Sequence, residues 1–372
     1  MRDNIRITSY QTILLIIAFR IVIAFSYLPA INTPPGNQDN WIMILLSMFY
    51  TMILCFPILF LSNKFKDFTL VEYLELIFGK VLGKIIGFFY SLVFLLFAII
   101  FVSIMVEILD AIMFPETPTW VTSFIMIITC IYVCYKGLEA IGRGAEIFVP
   151  LILAVIIIIP ILGLDVLDFS VFLPILSDSS FKDINSGAID IGIKFLDILI
   201  LAMIVPYLDK REDLNKIFMK SLVYSILIIV LMIIVVQAAL GIEQAKHANF
   251  PFFTFTRLIN VFEIVHRIES IYVIIWIISN IAKITGYLFF STVALSQTLK
   301  KRDNKAYIIP MAIIMFVISI IIKEKRSILA VKEPLDKISL FASLISIFII
   351  PMIALIVYFF RRNTLKDKTS AK

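Results

Sequence analysis

A chain of 372 residues that is 61% hydrophobic and only 16% charged is too apolar for a soluble domain, where about 45–50% and about 25% are usual. The net charge of +6 follows the loops between apolar runs and carries no implication of nucleic-acid binding. Three cysteines and two histidines, His247 and His266, give neither a disulfide framework nor a metal-ligand cluster. No nucleophile–base pair or phosphate-binding loop is in view, so an enzyme is not expected.

Windows of about 20 residues predict ten spans in an all-α polytopic membrane protein: 9–31, 41–62, 85–112, 119–136, 144–164, 187–208, 217–240, 270–298, 307–322 and 338–360. The first run carries no small-residue cleavage site and reads as a full span, not a removable signal. With the N-terminus inside, 21 Lys and Arg fall on cytoplasmic segments and nine on outer ones. Both termini are therefore expected in the cytoplasm, with a basic tail at 361–372. Ten spans with both ends inside permit two inverted halves, about 9–164 and 187–360. That is the leucine-transporter-like plan, with a central site at the first helix of each half. The first helices are accordingly the ones to inspect for a break. Span 1 has Pro29 near its outer end, and span 6 has Gly187, Gly192 and Pro206. The prolines could equally mark helix ends.

Ionisable residues inside the spans are few and expensive to bury. Arg20 lies in span 1 and Lys283 in the middle of "IIWIISNIAKITGYLF" in span 8, while Glu107 and Asp110 stand near the outer end of span 3. Asp190, Lys194 and Asp197 follow i, i+4, i+7 spacing in span 6, which puts them on one helix face. Three midplane cations against two carboxylates leave a positive excess, which either Glu107 or an anionic ligand group would close. Lys283 has two candidate roles. Its ammonium stands in for a bound cation that ties span 8 to span 1, or its proton is the coupling ion.

The loops are specific. "FTLVEYLELIFGKVLGKIIGFFYSL" contains Gly79 and Gly83, four apart, which reads as a small-residue packing face or as part of an amphipathic helix on the inner leaflet. "FPFFTFTRLINVFEIVHRIES" is too apolar for an unstructured outer loop and reads as short helices over a vestibule or as a partner surface. With "YKGLEAIGRGAEIFVPLILAV", "FLPILSDSSFKDINSGAI" and "LPAINTPPGNQDNWI", these segments resemble the spore germination permease family, over about residues 8–360. Its members are the B subunits of endospore germinant receptors, within the amino acid–polyamine–organocation superfamily.

The resemblance implies a sensor of a small nutrient, an amino acid or similar, acting in the spore inner membrane with an A subunit and a lipoprotein C subunit. No cofactor or metal is implied. The ligand pocket is expected where spans 1 and 6 are broken, lined also by spans 3 and 8. Carried onto this chain, that gives Val22, Ile23, Ala24 and Phe25 from span 1. By depth and helix face it gives Phe97 and Phe101, then Phe195, Leu196 and Ile200, then Ser279 and Asn280. Arg20, Glu107, Lys194, Asp197 and Lys283 would supply buried charge or coupling. One departure is visible. The family often has Gly-x-Gly where this chain has Val22 and Ala24, so span 1 lacks the residues that make unwinding cheap. The competing readings are an ion-coupled secondary amino acid transporter and a structural subunit with a vestigial pocket.

Overall fold

The computed structural model describes the backbone of residues 6–26, 31–248, 250–259, 268–301, 303–324 and 337–370. The membrane-crossing helices are α1 (Ser9–Ser26), α2 (Asn40–Lys64), α4 (Lys80–Ile112), α5 (Thr119–Lys136), α6 (Leu138–Leu162), α9 (Leu214–Leu240), α12 (Ile268–Thr298), α13 (Ile308–Glu324) and α14 (337–370). A π-helical stretch, Ile345–Ile349, interrupts α14. The sixth span is split into α7 (Phe181–Ile193) and α8 (Asp197–Ile204). Short helices α3 (Leu70–Phe78), α10 (Ile242–His247) and α11 (Pro251–Thr256) lie outside the spans. Among the described residues, eight helices are long and apolar enough to cross a membrane, and α1 contributes a shorter apolar helix. With the split span, these make the ten crossings expected from hydropathy. The bundle is helical because a lipid-embedded backbone must satisfy its own N–H and C=O groups.

Two helices form the axis. Both α4 and α12 are buried over most of their length and pack along each other, whereas α5 and α13 turn most of their surface outward. All eight residues of α8 are buried. Where α1 crosses α12, a Cβ on Gly286 would collide with the Phe19 ring, so the missing side chain sets how closely these helices approach. The inner ends of spans 1 and 6 are stitched by backbone bonds. The Ile7 N–H donates to Tyr207 O (2.9 Å) and the Asp209 N–H to Ile7 O (3.1 Å). Ser9 Oγ donates to Asp213, Gln11 Nε2 to Glu146, and Arg211 pairs with Asp67. The inner face is therefore tied shut by polar contacts.

Several expectations are corrected. The described part of α1 stays helical through Val22–Phe25 and ends at Ser26. Val22 and Ala24, unlike paired glycines, give no discount on unwinding. Pro29 lies outside the described residues. Span 6 begins at Phe181, not 187, and its break is not at Pro206, which sits in a 3-10 turn (Val205–Tyr207) at the inner end. Gly79 and Gly83 do not share a helix face. Gly79, at φ +89°, turns the corner between α3 and α4, and Gly83 lets α4 pass against the Glu75 backbone. The amphipathic alternative holds for α3, which buries Leu70, Val71, Tyr73, Leu74 and Ile77 and opens with a capping box from Thr69 and Glu72. Of the outer apolar segment, α11 packs on α9 and α12, and residues 260–267, His266 among them, lie outside the described set.

One glycine carries a direct prediction. A Cβ on Gly187 of α7 would run into the backbone carbonyl of Pro34, which cannot move aside as a side chain can. Gly187→Ala is expected to cost about 1–3 kcal/mol through overpacking. The check is the thermal unfolding midpoint of the purified protein, and an unchanged midpoint would contradict the close approach.

Candidate functional site at the break in the sixth span

The chain leaves the α-helix at Lys194 and re-enters it at Asp197. A helix end inside a membrane exposes carbonyls that have no intrahelical partner. Here they are met from another helix. Arg20 of α1 donates through one terminal nitrogen to Lys194 O (3.0 Å) and through the other to Ile191 O (3.3 Å). Its guanidinium also lies 4.8 Å from the centroid of the Phe195 ring. The cation thus sits at the negative end of the α7 dipole, and Asp197 occupies the first turn of α8, at the positive end of the α8 dipole. Both ends of the break are charge-matched by the chain itself.

Asp197 connects the break to α12. Its Oδ1 accepts from the Tyr287 hydroxyl (3.1 Å) and lies 3.9 Å from Lys283 Nζ. Lys283 is fully buried and donates to the carbonyl oxygen of Phe19. Its ammonium stands 4.2 Å from the centroid of Phe101 on α4, and Phe101 in turn packs against Phe97 and Tyr287. One ammonium therefore ties α1, α4, α8 and α12 together. Tyr287 was not singled out by sequence, although its i, i+4 relation to Lys283 is a usable signal.

The predicted residues fall into groups. Arg20, Asp197, Lys283, Phe101 and Phe195 converge, with Phe97 beside them. Leu196 is buried at the break and Ile200 one turn into α8. Val22 is buried in α1, and the side chains of Ile23, Ala24 and Phe25 lie outside the described residues. Ser279 returns its hydroxyl to Ile275 O (2.8 Å), and Asn280 donates to Trp276 O (2.9 Å).

The charged stripe on span 6 does not exist as one face. Three non-helical residues, Lys194 to Leu196, separate the helix that carries Asp190 from the one that carries Asp197. Lys194 pairs instead with Asp190 (2.6 Å), and both side chains are about a third exposed (37% and 30%), so Lys194 is not a buried charge. Glu107 is half-buried toward the outer end of α4, near Asp110, which accepts from Thr119 and Thr122. What remains at the buried centre is two cations, Arg20 and Lys283, against Asp197. Among the described residues, the Nε of Arg20 and the Oδ1 of Asn280 are buried there without a hydrogen bond. One is a donor and the other an acceptor: Arg20 follows Phe19, whose carbonyl Lys283 contacts, and Asn280 precedes Lys283 by three residues on α12. Above them, toward the outside, Leu109, Phe250, Phe253, Tyr272 and Trp276 line a small aromatic hollow. Among the described residues there is no cluster of His, Cys, Asp and Glu able to hold a metal.

Comparison with known proteins decides the lineage. The family profile described as Spore germination protein matches residues 6–328. The chain belongs to the spore germination protein family. Within it, the chain is 23% identical over 310 residues to Spore germination protein KB of Bacillus subtilis (strain 168), covering 82% of this chain and 83% of that one. It is 23% identical to Spore germination protein YndE of the same organism, covering 90% and 93%. Spore germination protein A2 of that organism is 22% identical, with 90% of each chain covered. Among solved structures, MhsT in complex with L-phenylalanine superposes with a TM-score of 0.67 at 15% identity, over 94% of this chain and 97% of that one. A Na+-coupled sialic acid symporter gives 0.65 at 16% identity, over 92% and 80%. This spore germination family member therefore has the leucine-transporter-like fold expected from its span count.

Proposed function

We propose that this chain is the B-type subunit of a germinant receptor in the spore inner membrane. In this reading it senses a small nutrient and acts with an A-type subunit and a lipoprotein C-type subunit. The observation that carries the reading is the placement of Lys283. Its ammonium lies between the Phe19 carbonyl and Asp197, joining the first, sixth and eighth spans. A covalently tethered cation fills that position, so ligand binding there needs no free metal cation. That suits a sensor, in which ligand only has to bias a conformational equilibrium.

The ligand class follows from what the centre leaves unmet. The positive excess and the unpartnered Arg20 Nε favour a carboxylate, and the unpartnered Asn280 oxygen favours a donor such as an ammonium. An amino acid or a similar small zwitterion offers both. The apolar part would rest against Phe97, Phe101, Phe195, Leu196 and Ile200, with Val22 on the α1 side and Ser279 beside Asn280.

The test is binding and uptake in one preparation. The protein is reconstituted in liposomes with and without its partner subunits and offered radiolabelled amino acids and nucleosides. Saturable binding of an amino acid without accumulation is expected. Accumulation driven by a proton or sodium gradient would overturn the sensor reading in favour of a coupled transporter.

A further inference from the structure

The outer loop between α6 and α7 presents an exposed apolar surface on a rigid base. Phe169, Leu173, Ile175, Leu176 and Phe181 are all at least half exposed, Leu173 at 69% and Phe181 at 84%. Such residues in a soluble-facing loop normally collapse inward or lie on a mobile segment. Here neither happens, because the loop is clamped from beneath. Asp39, itself fully buried, accepts from the Leu176 N–H (3.0 Å) and from the Ser179 hydroxyl. Gln38 donates to Pro174 O (3.3 Å) and to Asp178 (3.1 Å), and the Asp168 N–H donates to Ala238 O of α9 (2.9 Å). Leu176 is held at φ +61°, a conformation that costs a bulky side chain about 1–3 kcal/mol.

The charge around this surface is one-sided. Asp165, Asp168, Asp178 and Asp183 are exposed around it, with Lys182 the only basic residue between 164 and 183. Asp168, Asp178 and Asp183 accept hydrogen bonds from neutral donors. None of the four carboxylates makes an ion pair among the described residues. An acidic rim around apolar side chains disfavours an anionic lipid surface and complements a basic one.

We propose that residues 165–183 form a docking surface for a protein partner on the outer side of the membrane. The partner presents an apolar contact ringed by Lys and Arg. This rests on the reading of the chain as one subunit of an assembly, and it names the face that assembly uses. Phe169, Leu173, Ile175 and Phe181 supply the apolar core, and the four carboxylates supply the rim.

The test is site-directed cross-linking in native membranes. Leu173→Cys carries a maleimide-linked photoprobe, since the three native cysteines are buried. Tyr224→Cys, exposed on α9, serves as the lipid-facing control. The expected result is an adduct at 173 but not at 224, whose cross-linked peptide, read by mass spectrometry, is apolar and flanked by Lys or Arg. Adding Asp165→Lys at an exposed position is expected to lower its yield about tenfold by like-charge contact. The maleimide labelling rate at 173 shows that the loop is intact. Adducts confined to phospholipid, no adduct, or a protein adduct indifferent to Asp165→Lys would each overturn the proposal. Ligand binding by the isolated subunit is measured separately, so loss of this surface and failure of the sensing role give different results.

Discussion

Lys283→Met is expected to destabilise the protein by about 3–5 kcal/mol, because removing one member of a buried pair strands the other. Asp197 would keep only the Tyr287 hydroxyl, and the Phe19 carbonyl would lose its ammonium donor. The second change that identifies the cause is Asp197→Asn. If the cost of Lys283→Met is the stranded carboxylate, the double variant recovers at least half of the lost stability in a double-mutant cycle. A hydrophobic-packing role for the lysine stem would leave the two changes additive. A smaller replacement gives a sharper result. Lys283→Ala opens the space between a carbonyl and a carboxylate, the donors that a hard cation prefers. Raised sodium should then restore part of the unfolding midpoint of Lys283→Ala and do nothing for the parent. A midpoint in Lys283→Met equal to that of the parent would remove the tethered-cation account altogether.

The lysine was legible because a charge in an apolar run is expensive wherever it points. Its partners were not. The ten crossings and their orientation follow from hydropathy and from the bias of Lys and Arg, both properties summed over many residues. The break in span 6 depends on a few contacts made by distant residues. Pro206 marks the inner end of the span, the alternative that its local rule allows, and not the break. The real break at Lys194–Leu196 contains no proline and is held open by Arg20, which is 174 residues away in sequence. The i, i+7 relation of Asp190 and Asp197 presupposed an unbroken helix, so losing the helix separated a partly exposed ion pair from a buried carboxylate. Asp39 was passed over for a similar reason. In "PPGNQDN" it reads as a polar loop residue, and only the fold brings Leu176 and Ser179 onto its carboxylate. The missing glycines at 22 and 24 agree with the described part of α1, which is helical through Ser26.

Arg20 is where stability and ligand recognition should come apart. Arg20→Met takes the side-chain donor from Ile191 O and leaves Lys194 O with only the Leu196 N–H, at a helix end buried in the bundle. A hydrogen bond from a charged group contributes about 1.5–3 kcal/mol, so this variant should show a large loss of thermal stability. Arg20→Lys keeps the charge and can still reach one of the two carbonyls. It cannot span both while stacking on Phe195, because an ammonium has no planar fork. Arg20→Lys is therefore expected to recover part of the stability lost in Arg20→Met. It should recover none of the ligand response, because the unpartnered Nε donor assigned to the ligand carboxylate is absent from lysine. Loss of one such bond corresponds to at least about a tenfold weaker affinity. Binding and unfolding measured on the same reconstituted samples separate these effects. If binding tracks stability across Arg20→Lys and Arg20→Met, Arg20 is only the clasp of the broken helix, and the ligand carboxylate must be read elsewhere.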